Sequence, residues 1–363
     1  MGEKKLKIAF VSIYSGTVNR GVETVVHELS RRLSYDLTVD VYQQGSMSDG
    51  LPYTTIRIPT HIEWDTPKLP VKDWRRRLFI DYWGRKVGLF SLRAAKMIAK
   101  GNYDIVVTTN GGWQSLLFRL LTLPTSAKHV ILGGSGIGWD DRINLLCMPD
   151  SFVAPTTLAA SWAKSVIPFA NVAYIPNGVD TSRFTPKGPT FRTKLPRPLI
   201  LAVGACTKEK NLDAVIRAVS KIDASLLLVG DGPQKEELHA LGKKLLKNRF
   251  HLTSMSYDNM PTVYRVADLF TLVPSTREAF GIVYLEAMAS NVPVVAIDDP
   301  IRHEVIGDGG LFVGDPTNSD VYAHTLSQAL TKKWGNAPRV QSKRFSWDTI
   351  AKEFESHFLN LTK

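Results

Sequence analysis

Cysteine is nearly absent: Cys147 and Cys206 are the only two in 363 residues. So few, so far apart, exclude a disulfide framework and any Cys/His metal-ligand spacing. A reducing compartment, the cytoplasm, is the expected location. Long apolar runs are missing too, since nothing approaches the roughly 18 residues that read as a membrane-spanning helix. The opening MGEKKLKIAFVSIYSG has one short apolar run leading straight into Tyr14-Ser15-Gly16, without a small-residue cleavage site. It does not read as a secretory signal. No short repeat or low-complexity tract occurs. No P-loop, pyridoxal phosphate or flavin motif occurs either, so no cofactor is expected.

What is present is an ordinary globular composition, 44 % apolar and 22 % charged. At about 150 residues per domain it can fill two cores. Apolar runs alternate with amphipathic stretches. Strands are expected at Lys7–Ser12, Leu37–Tyr42, Asp104–Thr109, His129–Gly133, Ser151–Pro155 and Val172–Pro176. A second series follows at Leu199–Gly204, Ser225–Gly230, Phe250–Ser254, Leu269–Val273, Pro293–Ile297 and Leu311–Val313. Helices at Val22–Leu33, Leu158–Ile167, Leu212–Ser220 and Gln234–Leu246 lie between them. This alternation predicts an α/β chain with two doubly wound parallel sheets. Thr181–Pro198 carries Pro186, Pro189, Pro196 and Pro198 and reads as a linker. It would separate a domain over residues 1–180 from one over 199–340. In the tail, residues 341–363, Trp347, Ile350, Ala351, Phe354 and Phe358 recur at helical spacing. On pattern alone that helix packs either within the second domain or back on the first.

The segment VPSTREAFGIVYLEAMASNVPVV, Val273 to Val295, carries the most chemistry. The apolar run ending at Pro274 reads as a buried parallel strand. A helix is expected from near Gly281 through Glu286. Glu278 then lies in the loop before it and Glu286 on its second turn. Free N–H groups around Phe280, Gly281, Ile282 and Val283, with the positive end of the dipole, make a diphosphate seat. A carboxylate stands on either side, one able to orient a sugar and the other to hold a ribose. The plain alternative is an acidic loop residue followed by an exposed helical glutamate.

Pro274-Ser275, Glu278, Phe280-Gly281 and Glu286-Ala287 together resemble the signature of the retaining GT-B glycosyltransferases of family 4, the glycosyl transferases group 1. The resemblance implies two Rossmann-like domains facing across a cleft, with the last helix crossing back onto the first. It implies sugar transfer from a UDP- or GDP-sugar to an acceptor hydroxyl on a glycan, lipid-linked or small molecule. Retention of configuration and independence of metal are implied as well. Val203-Gly204-Ala205 through Lys210-Asn211 resembles the turn that opens the family's donor domain. Lys210 matches the lysine that counters the diphosphate, and Ala205 stands where an arginine is common. After the first strand, Gly16 and Gly21 permit close backbone approach to a ligand, in a loop that opens onto a helix start. The family usually has a Gly-Gly pair there. This chain has Arg20-Gly21, so Arg20 becomes a candidate phosphate contact.

The loop Gly133 to Arg142 follows another strand of the first domain, at the carboxyl edge where open α/β sheets bind ligands. Many family members carry a histidine in this loop. None occurs between Gly133 and Ser151, and His129 sits at the wrong end of the strand. Ser135, Asp140 and Asp141 are the polar candidates instead. No D-x-D occurs, which argues against a metal-holding GT-A enzyme. The net charge is +11, with Arg75-Arg76-Arg77, Arg85-Lys86, Arg93 and Lys96 interleaved with aromatics. This stretch, residues 71–100, reads either as a docking face for an anionic membrane or as a core-facing helix with a solvated basic side. No nucleic-acid module fits it. A nucleotide-sugar epimerase of similar fold and a non-catalytic nucleotide-sugar binder are the alternatives in function.

Overall fold

The computed structural model describes residues 5–17, 21–47, 50–61, 69–70, 72–274 and 278–363. Two compact units are present: residues up to Asn177 together with Asp348–Lys363, and Gly178–Trp347.

The first unit is built on seven strands: β1 (Lys7–Val11), β2 (Thr38–Gln43), β3 (Thr54–Arg57), β4 (Ile105–Thr108), β5 (Lys128–Leu132), β6 (Ser151–Ala154) and β7 (Val172–Tyr174). They pair in parallel in the order β3-β2-β1-β4-β5-β6-β7. Central strands such as β1 and β4 are apolar on both faces, because helices cover both sides of a parallel sheet. β3 escapes sequence pattern: Thr54-Thr55-Ile56-Arg57 is a short, half-exposed edge strand with no apolar run.

The second unit holds β8 (Leu199–Val203), β9 (Ser225–Val229), β10 (Phe250–Thr253), β11 (Leu269–Leu272), β12 (Val294–Ile297) and β13 (Gly310–Val313). Their order, β10-β9-β8-β11-β12-β13, is the doubly wound Rossmann order. In each sheet the winding reverses at the first strand, between β1 and β4 and between β8 and β11. Ligand sites of such sheets lie beyond the carboxyl ends of those strands.

Residues 181–198 are not a free linker, which corrects the sequence expectation. Phe184 is fully buried in the second unit's core, edge-on to Tyr264 with ring centroids 5.7 Å apart. Arg265 donates to the carbonyls of Thr185 at 2.7 Å and Pro189 at 3.0 Å. The prolines deny this stretch regular hydrogen bonding without denying it packing. The helix Trp347–Thr362 leaves the second unit at Trp347, whose N–H donates to Val179 O at 3.1 Å. From Asp348 onward it belongs to the first unit. There Asp348 accepts from Arg32 Nε at 2.6 Å, and His357 Nε2 lies 2.8 Å from Ser151 Oγ. Among the described residues no helix is long and apolar enough to cross a membrane.

Candidate active site

In the second unit, β11 delivers the chain through buried Val273 and Pro274 towards Glu278. Gly281 turns it into the helix Ile282–Ala289 with φ +89. A Cβ there would come within 2.4 Å of the Tyr284 ring, so only glycine serves. Gly281, the N-cap residue, has no side chain to cap this helix, and among the described residues none does so. Its first N–H groups therefore face outward from a turn made of Glu278, Ala279 and Phe280. Phe280 anchors the turn, buried and edge-on to Phe345 at 5.9 Å.

β8 lies beside β11 and ends one residue before Gly204. A 3-10 turn, Lys208–Lys210, follows. A Cβ at Gly204 would lie 3.7 Å from the Lys210 stem and from Leu272, an ordinary contact. The glycine whose bareness is compulsory is Gly230, where a Cβ would sit 1.9 Å from Gly204 O. Lys210 Nζ donates to Glu278 Oε2, and both side chains keep partial access to solvent. Two groups expected to act on different parts of one ligand thus meet as an ion pair, at the point where strand order reverses.

Glu286 stands on the second turn of its helix, as its position predicts, but it is buried, with 4 % exposure. Its carboxylate accepts from Tyr264 Oη at 2.7 Å. Burial first, and then the charge of Glu286, push the Tyr264 phenol well above its ordinary pKa, which keeps it a donor. Sequence reasoning did not single out Tyr264, a fully buried residue of the core. It passed over Arg302 as well. This residue of the helix Pro300–Ile306 is 3 % exposed and donates Nη1 to the main-chain carbonyl of Glu278 at 3.1 Å. Nothing in its local pattern announces that contact.

The first unit places the other candidates separately. Arg20 lies outside the described residues. Gly21 opens the helix Gly21–Leu33 with open space where a Cβ would stand. Gly16 has φ +73, and a Cβ there would meet Gln43 Nε2 at 2.4 Å and Ser46 O at 2.9 Å. Its close approach is to the chain's own neighbouring loop, so packing alone accounts for this glycine. Ser135 is exposed. Asp140 takes Arg76 Nη2 on both carboxylate oxygens, at 2.9 and 2.8 Å. His129 is an internal residue of the core: burial holds its pKa down at about 3, and Nε2 lies 3.0 Å from Thr108 Oγ1.

Asp141 is the more unusual acid of this loop. It is buried at the start of the helix Trp139–Leu146 and accepts from Asn144 Nδ2 at 3.0 Å and from the N–H groups of Ser135 and Gly136. Burial still wins and pushes its carboxyl up to about 7, and the neighbouring charge of Asp140 adds to the rise. A folded pKa above the unfolded value of about 3.9 means the folded chain holds the proton more tightly. That contribution to stability is complete below about pH 4 and is lost as pH rises through about 7. Asp141→Asn should therefore melt several degrees above the parent at pH 8 and converge with it near pH 4. Parallel melting curves across that range would remove the effect.

The basic stretch is divided between two roles. Arg76 faces inward to Asp140, and Arg77 lies over the Trp139 ring at 5.4 Å, with Trp139 Nε1 donating to Arg77 O at 3.1 Å. In the helix Tyr82–Ile98, Trp83, Val87 and Phe90 enter the core. Trp74 and Leu78, at 63 % and 58 % exposure, stay outside. Among the described residues no group of three or more His, Cys, Asp or Glu is arranged to hold a metal ion.

With this geometry the chain can be compared with known proteins. Residues 189–346 match the family model described as glycosyl transferases group 1. A GDP-mannose-dependent alpha-(1-6)-phosphatidylinositol monomannoside mannosyltransferase of Mycolicibacterium smegmatis is 31 % identical over 352 residues, covering 87 % of this chain and 86 % of the relative. Among solved structures, a glycosyltransferase from Rickettsia africae superposes with TM-score 0.73 at 21 % identity, covering 99 % of both chains. HepE of Anabaena, in complex with UDP and glucose, superposes with TM-score 0.71 at 17 % identity, covering 97 % of this chain and 99 % of that one. These two likenesses show a shared fold, the GT-B architecture of two parallel-sheet Rossmann-like domains. The epimerase reading is not favoured, since the relative matched along most of its length is a transferase. Sequence, fold and kinship converge: the chain belongs to the glycosyl transferases group 1 and is a glycosyltransferase.

Proposed function

We propose that this glycosyltransferase moves a sugar from a UDP- or GDP-linked donor to a hydroxyl of a lipid-linked or glycan acceptor, with retention and without a metal ion. The observation that carries the reading is the Lys210–Glu278 ion pair beside a helix start whose N-cap is glycine. A fixed cation and oriented N–H groups of Phe280, Gly281, Ile282 and Val283 stabilise a departing diphosphate electrostatically, so a metal has no remaining task. On donor binding Lys210 shares its charge with the diphosphate. Glu278 is then released to accept from sugar hydroxyls. Glu286, steadied by Tyr264, holds the ribose, and the Gly204 turn lets the nucleotide approach the strand end. Ser135 and Asp140 are the first unit's candidates for contacting the acceptor. The acceptor oxygen attacks C1 on the face the diphosphate leaves. The C1–O bond breaks with its electron pair going to phosphate, and that phosphate takes the acceptor's proton. No enzyme nucleophile is needed, which suits a loop without histidine.

The names of the relatives favour this donor class: one is GDP-mannose-dependent, and another is in complex with UDP and glucose. A thermal-shift screen with GDP-mannose, UDP-glucose, GDP and UDP tests it. A donor at a hundred times its Kd stabilises by about 2.7 kcal/mol. No shift with any of the four would overturn the proposal.

The lipid-linked acceptor is also favoured by the outer side of residues 71–100. Arg75 and Arg77 lie beside Trp74 and Leu78 there, all exposed. A basic and aromatic face of this kind suits a peripheral position on anionic membrane. Each cation near such a surface contributes about 1 kcal/mol. Reversing Arg75 and Arg77 to Glu, with inward Arg76 left alone, should weaken sedimentation with phosphatidylglycerol vesicles by at least about tenfold. Unchanged co-sedimentation would assign this face to plain solvent.

A further inference from the structure

Arg302 is a buried cation in an odd place. Its guanidinium faces Asp299, with Nη1 3.3 Å from Asp299 Oδ2, and its own N–H donates to Asp299 Oδ1 at 2.9 Å. It lies over the Tyr284 ring, 6.0 Å from the centroid, and Tyr284 Oη in turn donates to Leu272 O at 2.9 Å. The remaining donor bond of Nη1 goes to the Glu278 carbonyl. Among the described residues, Arg302 Nε has no hydrogen-bond partner. An apolar side chain would fill this space without desolvating a charge. What the guanidinium adds is the planar NH2 group of Nη1, which reaches Asp299 and the Glu278 carbonyl at once.

The two acceptors belong to different elements. Asp299 caps the helix Pro300–Ile306, beyond β12, while Glu278 precedes the helix Ile282–Ala289, beyond β11. Arg302 therefore joins a rigid, capped helix to the turn that carries Glu278. The other polar partners of that turn act elsewhere. Lys210 holds the Glu278 side chain, and Tyr284 N–H bonds the carbonyl of Gly281. Only the Arg302 bond holds the main chain at Glu278 itself among the described residues. A carboxylate that must meet sugar hydroxyls within a fraction of an ångström needs that support, because small displacements cost rate steeply.

We infer that Arg302 is a positioning residue for the transfer: it fixes the Glu278 main chain against the Asp299-capped helix and so sets the direction of the Glu278 carboxylate. The inference rests on the proposed role of Glu278 and deepens it. Its signature is a loss in kcat with little change in KM, since the diphosphate seat stays intact. Arg302→Lys keeps the charge, but on a shorter stem and a single tetrahedral nitrogen instead of the planar guanidinium. It should lose about tenfold in kcat, and Arg302→Met about a hundredfold, the size of one and two charge-assisted bonds.

Both variants, Glu278→Gln and the parent are assayed for nucleotide release from GDP-mannose and from UDP-glucose. Folded fraction is checked by melting, and UDP and GDP affinity by calorimetry. Graded loss of kcat at unchanged nucleotide affinity, with added guanidinium restoring part of the Arg302→Met rate, supports the inference. If Arg302→Lys folds and keeps the parental kcat while Glu278→Gln is inactive, the inference fails and the site reading stands. If Glu278→Gln itself turns over normally, the site reading fails and takes the role of Arg302 with it. A fall in melting temperature with no change in kcat of the folded fraction assigns Arg302 to stability alone and overturns its positioning role.

Discussion

Glu278→Ala is expected to lower transfer by about a thousandfold, the upper range for removing one group that acts on the reacting centre, with the fold intact. The two halves of that expectation come from the same contact. Glu278 and Lys210 form an ion pair whose side chains are 20 % and 27 % exposed. Pairs with such access to water are worth about 0–1 kcal/mol, because solvent already screens both charges. Evolution of a stable fold does not require this pair, and its loss should move the melting temperature little. The sugar, by contrast, would lose the one acidic acceptor at the loop before the helix Ile282–Ala289. Glu278→Gln separates charge from shape. The amide keeps the length but accepts with one oxygen only, and it should be nearly as inactive. Initial rates of transfer and of donor hydrolysis, measured beside melting curves, decide the matter. A folded Glu278→Ala enzyme with near-parental turnover would take Glu278 out of the site.

The second large effect belongs to Lys210. Lys210→Met retains the stem that lies against Gly204 while deleting the charge. A charge-assisted bond to phosphate is worth about 1.5–3 kcal/mol, so UDP or GDP should bind about tenfold to a hundredfold more weakly. Turnover should fall further than affinity, since the leaving diphosphate gains charge as the C1–O bond breaks. Ala205 sharpens this expectation, because the arginine common in the resembling turn is missing and Lys210 stands without it. The double variant Lys210→Met, Glu278→Gln should lose less than the sum of the single losses, as partners in contact do. Calorimetry with UDP and GDP is the check. Parental affinity in Lys210→Met would show that the diphosphate sits elsewhere.

Much of the site could be read along the chain because its parts are local. Gly281 before a helix and the eight-residue interval from Glu278 to Glu286 are properties of one strand-turn-helix unit. Their geometry follows from helical pitch and from the left-handed turn that only glycine takes without strain. What those carboxylates touch was not legible. Glu286 is legible as a residue of the second helical turn, but the hydrogen bond it accepts from buried Tyr264 is not. Gly16 reads as making room for a ligand, and it makes room for the loop after β2. Four prolines read as a linker, and the segment packs through Phe184.

Two parallel-sheet domains, most of their strands and the kinship of the chain were settled by the amino-acid order alone. Buried parallel strands must be continuous apolar runs, and the covering helices must be amphipathic. Only the tertiary structure decided that Lys210, 68 residues from Glu278, meets it, that Arg302 reaches under the same turn, and that the last helix belongs to the first unit. These contacts depend on which strands lie side by side. Strand order is set by the collective packing of whole layers, which no single stretch of residues records.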